Sequence, residues 1–178
     1  HNIGDSFSLI YGLDDPVIEI NITPNRPDCL SVRGIARDLA AAGLGKLKDV
    51  SSAKISGSFE SPIKWKRQFN EKDNHICPGV SGRYFANVNN CESPDWLKKK
   101  LIAIGLKPIS ALVDITNFIT YDLGRPLHVY DADKIKGNLT MRLAANNETC
   151  KTLDEKEYKL SSEMIVISDD KEVHGIGG

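Results

Sequence analysis

Hydrogen-bonding groups with a fixed direction are what a pocket for a polar small molecule needs. One stretch offers several together: Thr116–Asp131, TNFITYDLGRPLHVYD. Thr116, Asn117 and His128 come from two elements close in sequence, so one concavity can be lined by all three. Leu112, Ile115, Ile119 and Leu123 recur at helical spacing, which predicts an amphipathic helix packed on a core. Gly124 then stands where a helix C-terminus wants a residue tolerant of positive φ, and Pro126 forbids resumption. His128 therefore leaves the turn in a fixed direction. On spacing alone the plainer alternative comes first: Asn117 and His128 as capping groups that satisfy buried backbone.

Other chemistries find less support. Gly79-Val80-Ser81-Gly82 lacks the G-x-S-x-G spacing of a serine nucleophile. His75 and Cys77 alternate, but no second pair joins them, so no metal site is expected. Gly175-Ile176-Gly177-Gly178 has no helix after it and is a weak phosphate-loop signal. What survives is a pocket of hydrogen-bonding groups without a nucleophile. Such a pocket binds a polar small molecule, or holds a water against a bond that is already reactive.

The elements that must position these groups can be read along the chain. The 178 residues are 40% hydrophobic and 26% charged, ordinary for a globular protein, and suit one domain or one domain plus part of another. A net charge of −1 gives no global attraction to nucleic acid. Four scattered cysteines, Cys29, Cys77, Cys91 and Cys150, form no C-x-x-C pair and read as packing thiols in a reducing compartment. No signal peptide or membrane span is evident, and the chain reads as cut from something longer. Val17–Ile22 alternates as a strand, and a two-proline loop follows. Asp28 is the expected cap of a helix within Cys29–Leu44. Arg26 reads as a salt bridge fixing that loop.

Residues 46–61, rich in Lys, Ser and Gly, read as a linker. The basic run Lys64–Arg67 reads as a solvated strand face. Ser81–Val88 is expected as a strand, and Ser93-Pro94-Asp95 as a helix start with Ser93 its cap. That helix runs to Ile104, and a second from Ser110 to Leu123. Trp65 and Trp96 are expected as core or interface anchors. Strands then dominate, around Leu139–Leu143, Cys150–Leu153, Tyr158–Leu160 and Ile165–Ile167. The class is α+β, with helices packed on largely antiparallel strands.

Ile20–Ile35 (INITPNRPDCLSVRGI), Leu112–Asp131 and the closing VISDD…GIGG together resemble the beta subunits of bacterial phenylalanine–tRNA ligases. The resemblance implies that residues 1–48 close a first, interrupted domain, 49–61 link, and 62–178 form an editing domain truncated at its C-terminus. It implies hydrolysis of mischarged tyrosyl-tRNA, because a pocket for phenylalanine rejects an added hydroxyl only about 10²-fold. His128 falls on the family's editing-site histidine and Thr116 on a pocket threonine near it; Asn117 and Gly177 are expected as further substrate-binding residues. No cofactor is implied for this stretch; the whole ligase uses ATP and Mg2+. The implied partners are the alpha subunit, in a heterotetramer of two alpha and two beta, with tRNA and tyrosine or phenylalanine, in the cytoplasm and without a membrane. This chain departs from the pattern at Ala111, where some members carry a pocket arginine. The acid that reads the tyrosine hydroxyl is expected beyond Gly178, and a stretch between Ile176 and Gly177 is expected to be absent. A non-catalytic tRNA-binding module, as in tRNA-lysidine synthetases, is the alternative.

Overall fold

A computed structural model describes residues 2–50, 53–152 and 155–177, and divides them into two compact units. The first comprises the described residues of 1–53 with 89–129, the second those of 54–88 with 130–178. All helices fall in the first unit and all strands in the second, so the class is α+β. No helix among the described residues is long and apolar enough to cross a membrane.

The first unit carries α1 (Phe7–Tyr11), a 3-10 turn at Pro27–Cys29, α2 (Val32–Ala41), α3 (Asp95–Ala103) and α4 (Ala111–Leu123). The expected strand at Val17–Ile22 forms no ladder. Val17, Ile18 and Ile20 are exposed, and an alternating run becomes a strand only when another strand satisfies its backbone. The cap of α2 is Ser31, whose hydroxyl accepts from Gly34 N at 2.9 Å, not Asp28. A Cβ on Gly34 would stand 2.0 Å from the Asp28 carbonyl, so this turn of α2 packs directly on the preceding loop.

α3 and α4 are joined through a buried carboxylate. Ser93 does not cap α3: the N-cap is Pro94, without a side-chain bond, and the Ser93 hydroxyl donates to Asp114 Oδ2. Asp114 is fully buried, and its Oδ1 accepts Ile109 N–H at 2.9 Å. Asn90 Oδ1 accepts Leu112 N–H at 3.2 Å and the Cys91 carbonyl accepts Ala111 N–H at 2.8 Å, so α4's first turn is satisfied by the segment before α3. Trp96 meets Phe118 edge-on at 5.5 Å, but is itself 54% exposed. Leu97 and Leu101 supply the apolar burial of α3. The buried face of α4 therefore centres on Asp114. Ile115 and Leu123, expected on the core side, are exposed.

The second unit is built on a four-stranded sheet of order β1 (Trp65–Gln68), β2 (Leu139–Leu143), β5 (Ile165–Ser168) and β6 (Val173–Ile176). β1 runs parallel to β2 and the other pairs are antiparallel. β3 (Thr149–Lys151) and β4 (Glu157–Lys159) make a separate antiparallel pair. Leu153, part of the expected strand Cys150–Leu153, lies outside the described residues, as do Ser51 and Ser52 of the expected linker. Ala144, Cys150, Leu160 and Val166 form the core, with Val173 against it. Lys66 and Arg67 of β1 are both exposed, and Arg67 Nε donates to the Cys77 carbonyl at 2.7 Å. Ser81–Val88 is not a strand. Gly82 is pressed on the Trp65 indole, where a Cβ would come within 1.9 Å of Nε1, and Asn87 takes a left-handed φ of 57° that breaks extension. Cys29, Cys77 and Cys150 are buried thiols, whereas Cys91 is exposed and contributes through its backbone.

Asp114→Ala should strand the Ser93 hydroxyl and Ile109 N–H in a buried site and cost roughly 2–4 kcal/mol, from two lost hydrogen bonds to a charged group. Ser93→Ala should cost about 1 kcal/mol. Urea unfolding of the two variants checks this, and equal effects would contradict the central place given to Asp114.

Candidate functional site

α4 brings Thr116 and Asn117 to consecutive, half-buried positions in its middle. The Thr116 hydroxyl donates to the Val113 carbonyl at 2.7 Å, and Thr120 Oγ1 donates to the Thr116 carbonyl at 2.8 Å. With its proton committed to the helix, Thr116 Oγ1 keeps only its acceptor capacity. The helix stops at Gly124, with φ 69° and ψ 28°, whose N–H reaches the Thr120 carbonyl at 2.9 Å. A Cβ there would also stand 3.1 Å from Ser31 Oγ. The helix stop read from glycine and proline is therefore the one observed. His128 follows in the same unit, on an irregular segment, and is exposed along with Leu127 and Val129.

Gly177 belongs to the second unit, where its N–H donates to the Ile165 carbonyl at 2.7 Å. A hollow in the first unit is lined by Val32, Ala36, Leu47, Val50, Asp122 and Leu123 among others, and none of Thr116, Asn117 or His128 contributes to it. In the second unit a smaller hollow is lined by Gln68, Phe69, Asn70, Arg142 and Leu143. Ala111, the position of the family's occasional arginine, is half-buried at the start of α4.

The loop before α2 is held by charge. Arg26 Nε bonds Asp28 Oδ1 at 3.0 Å and its NH2 bonds Asp38 Oδ2 at 2.7 Å, while Arg37 also pairs with Asp28. The salt-bridge reading of Arg26 is the structural one. The Arg26 hydrogen bond is the main reason Asp28 is lowered to about 2, and the two carboxylates in turn raise Arg26. Asp38 is lowered through hydrogen bonds from Cys29 and Arg26. Asp28, Cys29 and Asp38 present possible ligand atoms within 4.8 Å of one another. Two guanidinium groups already balance these carboxylates, and burial pushes the Cys29 thiol up, which disfavours a thiolate ligand.

Sequence reasoning passed over two buried carboxylates. Asp114 was legible only as an acid in a first helical turn. The other is Asp169, whose side chain has no exposed surface and whose Oδ2 lies 2.9 Å from His174 Nε2. Its signal was the turn-forming pair Asp169-Asp170 followed by a histidine, which has no specific meaning without the fold.

The B3/4 domain family matches residues 76–178. The chain belongs to the B3/4 domain family. Over 176 residues, 99% of this chain, it is 52% identical to the phenylalanine–tRNA ligase beta subunit of Brucella abortus (strain 2308), covering 22% of that protein. It is 54% identical over the same share to the beta subunit of Mesorhizobium japonicum, covering 21% of it. With that of Ruegeria pomeroyi it shares 57% identity over 92% of this chain and 20% of the relative. The chain thus spans about a fifth of the length of these relatives.

Because Asp28 has a folded pKa near 2, below the ordinary carboxylate value of about 3.9, its ion pair stabilises the loop fully above the unfolded value. That contribution is lost as pH falls through the folded value. Arg26→Ala should move the Asp28 titration, followed by carboxyl NMR shifts, back toward about 3.9. A midpoint still near 2 would show that Arg37 alone holds the carboxylate down.

Proposed function

We propose that this chain is the editing portion of a phenylalanine–tRNA ligase beta subunit and clears tyrosine wrongly esterified to tRNA. The observation that carries the proposal is the similarity over nearly the whole chain to proteins of that name. It does not favour a tRNA-lysidine synthetase module. Residues 1–48 would close a neighbouring domain, 49–61 link, and 62–178 form the editing domain. The intact ligase would join phenylalanine to tRNA with ATP and Mg2+ in the cytoplasm, as two alpha and two beta subunits. The chemistry of ligation would belong to the alpha partner, which is why no ATP or metal chemistry is assigned to this chain.

The residues suit hydrolysis without a covalent intermediate. An aminoacyl ester is activated, so a water held in line and dipoles facing the developing oxyanion can suffice. His128, exposed on its segment, is reachable by the 3′ end of a macromolecule. It would position the ester or the terminal adenosine, acting through a water. Thr116 Oγ1, its proton given to Val113, would accept from the substrate's ammonium or a ribose hydroxyl. Asn117, the next residue of α4, would supply a further hydrogen-bonding group.

His128→Ala in the full-length subunit, assembled with its partner, should lower tyrosyl-tRNA deacylation by roughly 10²-fold. Phenylalanylation should be unchanged. Undiminished deacylation would instead favour a domain that only binds or braces tRNA.

A further inference from the structure

One face of β1 carries cations and then a carboxamide in a row. Strand residues alternate sides, so Lys66 and Gln68 share a face. Trp65 and Arg67 take the other, where Gly82 presses on the indole and the Cys77 carbonyl accepts from Arg67. Lys64 extends the first row, because its carbonyl accepts Leu139 N–H at 3.1 Å and so continues the β1–β2 ladder by one residue. β1 is an edge strand of its sheet, and Lys64, Lys66 and Gln68 are all exposed. Among the described residues no carboxylate pairs with either lysine. Beyond Gln68 the row ends in the hollow lined by Gln68, Phe69, Asn70, Arg142 and Leu143, about 200 Å³ in volume. Its guanidinium is already engaged: Arg142 Nη1 and Nη2 donate to the two oxygens of Glu148, and Nε donates to Ser168 Oγ. With that charge neutralised, the hollow favours a neutral hydrogen-bonding group over an anion. Gln68 and Asn70 each offer an amide donor beside a carbonyl acceptor, the pairing that reads a nucleobase edge, and Phe69 adds an aromatic ring. The volume suits one heterocyclic ring system, below the roughly 300 Å³ at which pockets for whole small molecules begin.

We propose that this row is an RNA-binding surface: Lys64 and Lys66 meet successive phosphates, and the hollow takes one unpaired base on Gln68 and Asn70. Single strands are held in this way, with cations tracking the backbone and a pocket beside them holding a base. Two residues of strand set Lys64 and Lys66 about 6.6 Å apart, close to the separation of adjacent phosphates in an extended strand. All of these groups lie in the second unit. The proposal rests on the tRNA-ligase assignment for the identity of the RNA, and asks nothing of the hydrolytic residues. The competing reading is a guard, since lysines on an edge strand deter pairing with another chain. A guard needs a charge of either sign, whereas a phosphate contact needs a cation.

Binding of deacylated tRNA to the full-length subunit, assembled with its partner, separates the two. Lys66→Glu should weaken binding several-fold and reduce the slope of log Kd against log salt by about 1. Gln68→Leu should weaken binding about fivefold at every salt concentration and leave the slope unchanged. Wild-type tRNA binding by either variant overturns the proposal. So does weakened binding that sedimentation traces to lost assembly with the partner, which would make β1 a protein-docking edge. Hydrolysis is read separately: a fully active His128→Ala overturns the editing assignment and leaves this surface standing on the binding data. A wild-type complex that binds no tRNA overturns both.

Discussion

A carboxylate stripped of solvent is tolerated only where several donors converge on it, and α4 is placed where that demand is met. Asp114 takes the Ser93 hydroxyl on one oxygen and Ile109 N–H on the other. Those donors come from the entry to α3 and from the α3–α4 connection, so two helices and a loop are oriented by one anion. The neighbouring backbone is closed by the same segment, through Asn90 and Cys91. Without this convergence the first turn of α4 would hold orphan N–H groups, and the positions of Thr116 and Asn117 would follow whatever replaced it.

The second unit solves an equivalent problem with an equivalent device. Asp169 collects backbone donors from the hairpin turn and from Lys136, and adds the His174 imidazole. Around it the β1-β2-β5-β6 sheet is otherwise held by ordinary ladders and by a small apolar core. Arg142 and Glu148 add a bidentate pair beside β2, with Nη1 and Nη2 on the two carboxylate oxygens at 2.8 and 2.6 Å. Both units therefore rely on charged groups neutralised by geometry, in addition to hydrophobic burial.

This economy fits the chemistry proposed for the chain. Hydrolysis of an activated ester asks for placement more than for a strong nucleophile, and placement comes from locked backbone. The proton of Thr116 is spent on its own helix, so its oxygen is left as an acceptor whose direction is set by the helix. Such a site is silent in a motif scan.

Local rules were sufficient for much of the fold. The span of α4, its stop at Gly124, the start of α3 after Pro94 and the α+β class are legible because each depends on neighbours within a turn or two. The pairing of Arg26 inside its proline loop was legible for the same reason, with Asp28 two residues away. The pattern Thr116, Asn117, His128 marked candidates, and the resemblance supplied a role for Thr116 and His128. Tertiary structure decided the rest. It turned the buried face of α4 toward Asp114 and left Ile115 outside, gave Ser93 to a distant carboxylate in place of its own helix, and left Val17–Ile22 without a strand to pair with. It also joined His174 to Asp169 across a bulge. The physical reason is that a buried charge and an unpaired backbone are satisfied by whichever partners the fold brings near, and no local period records which partner that will be.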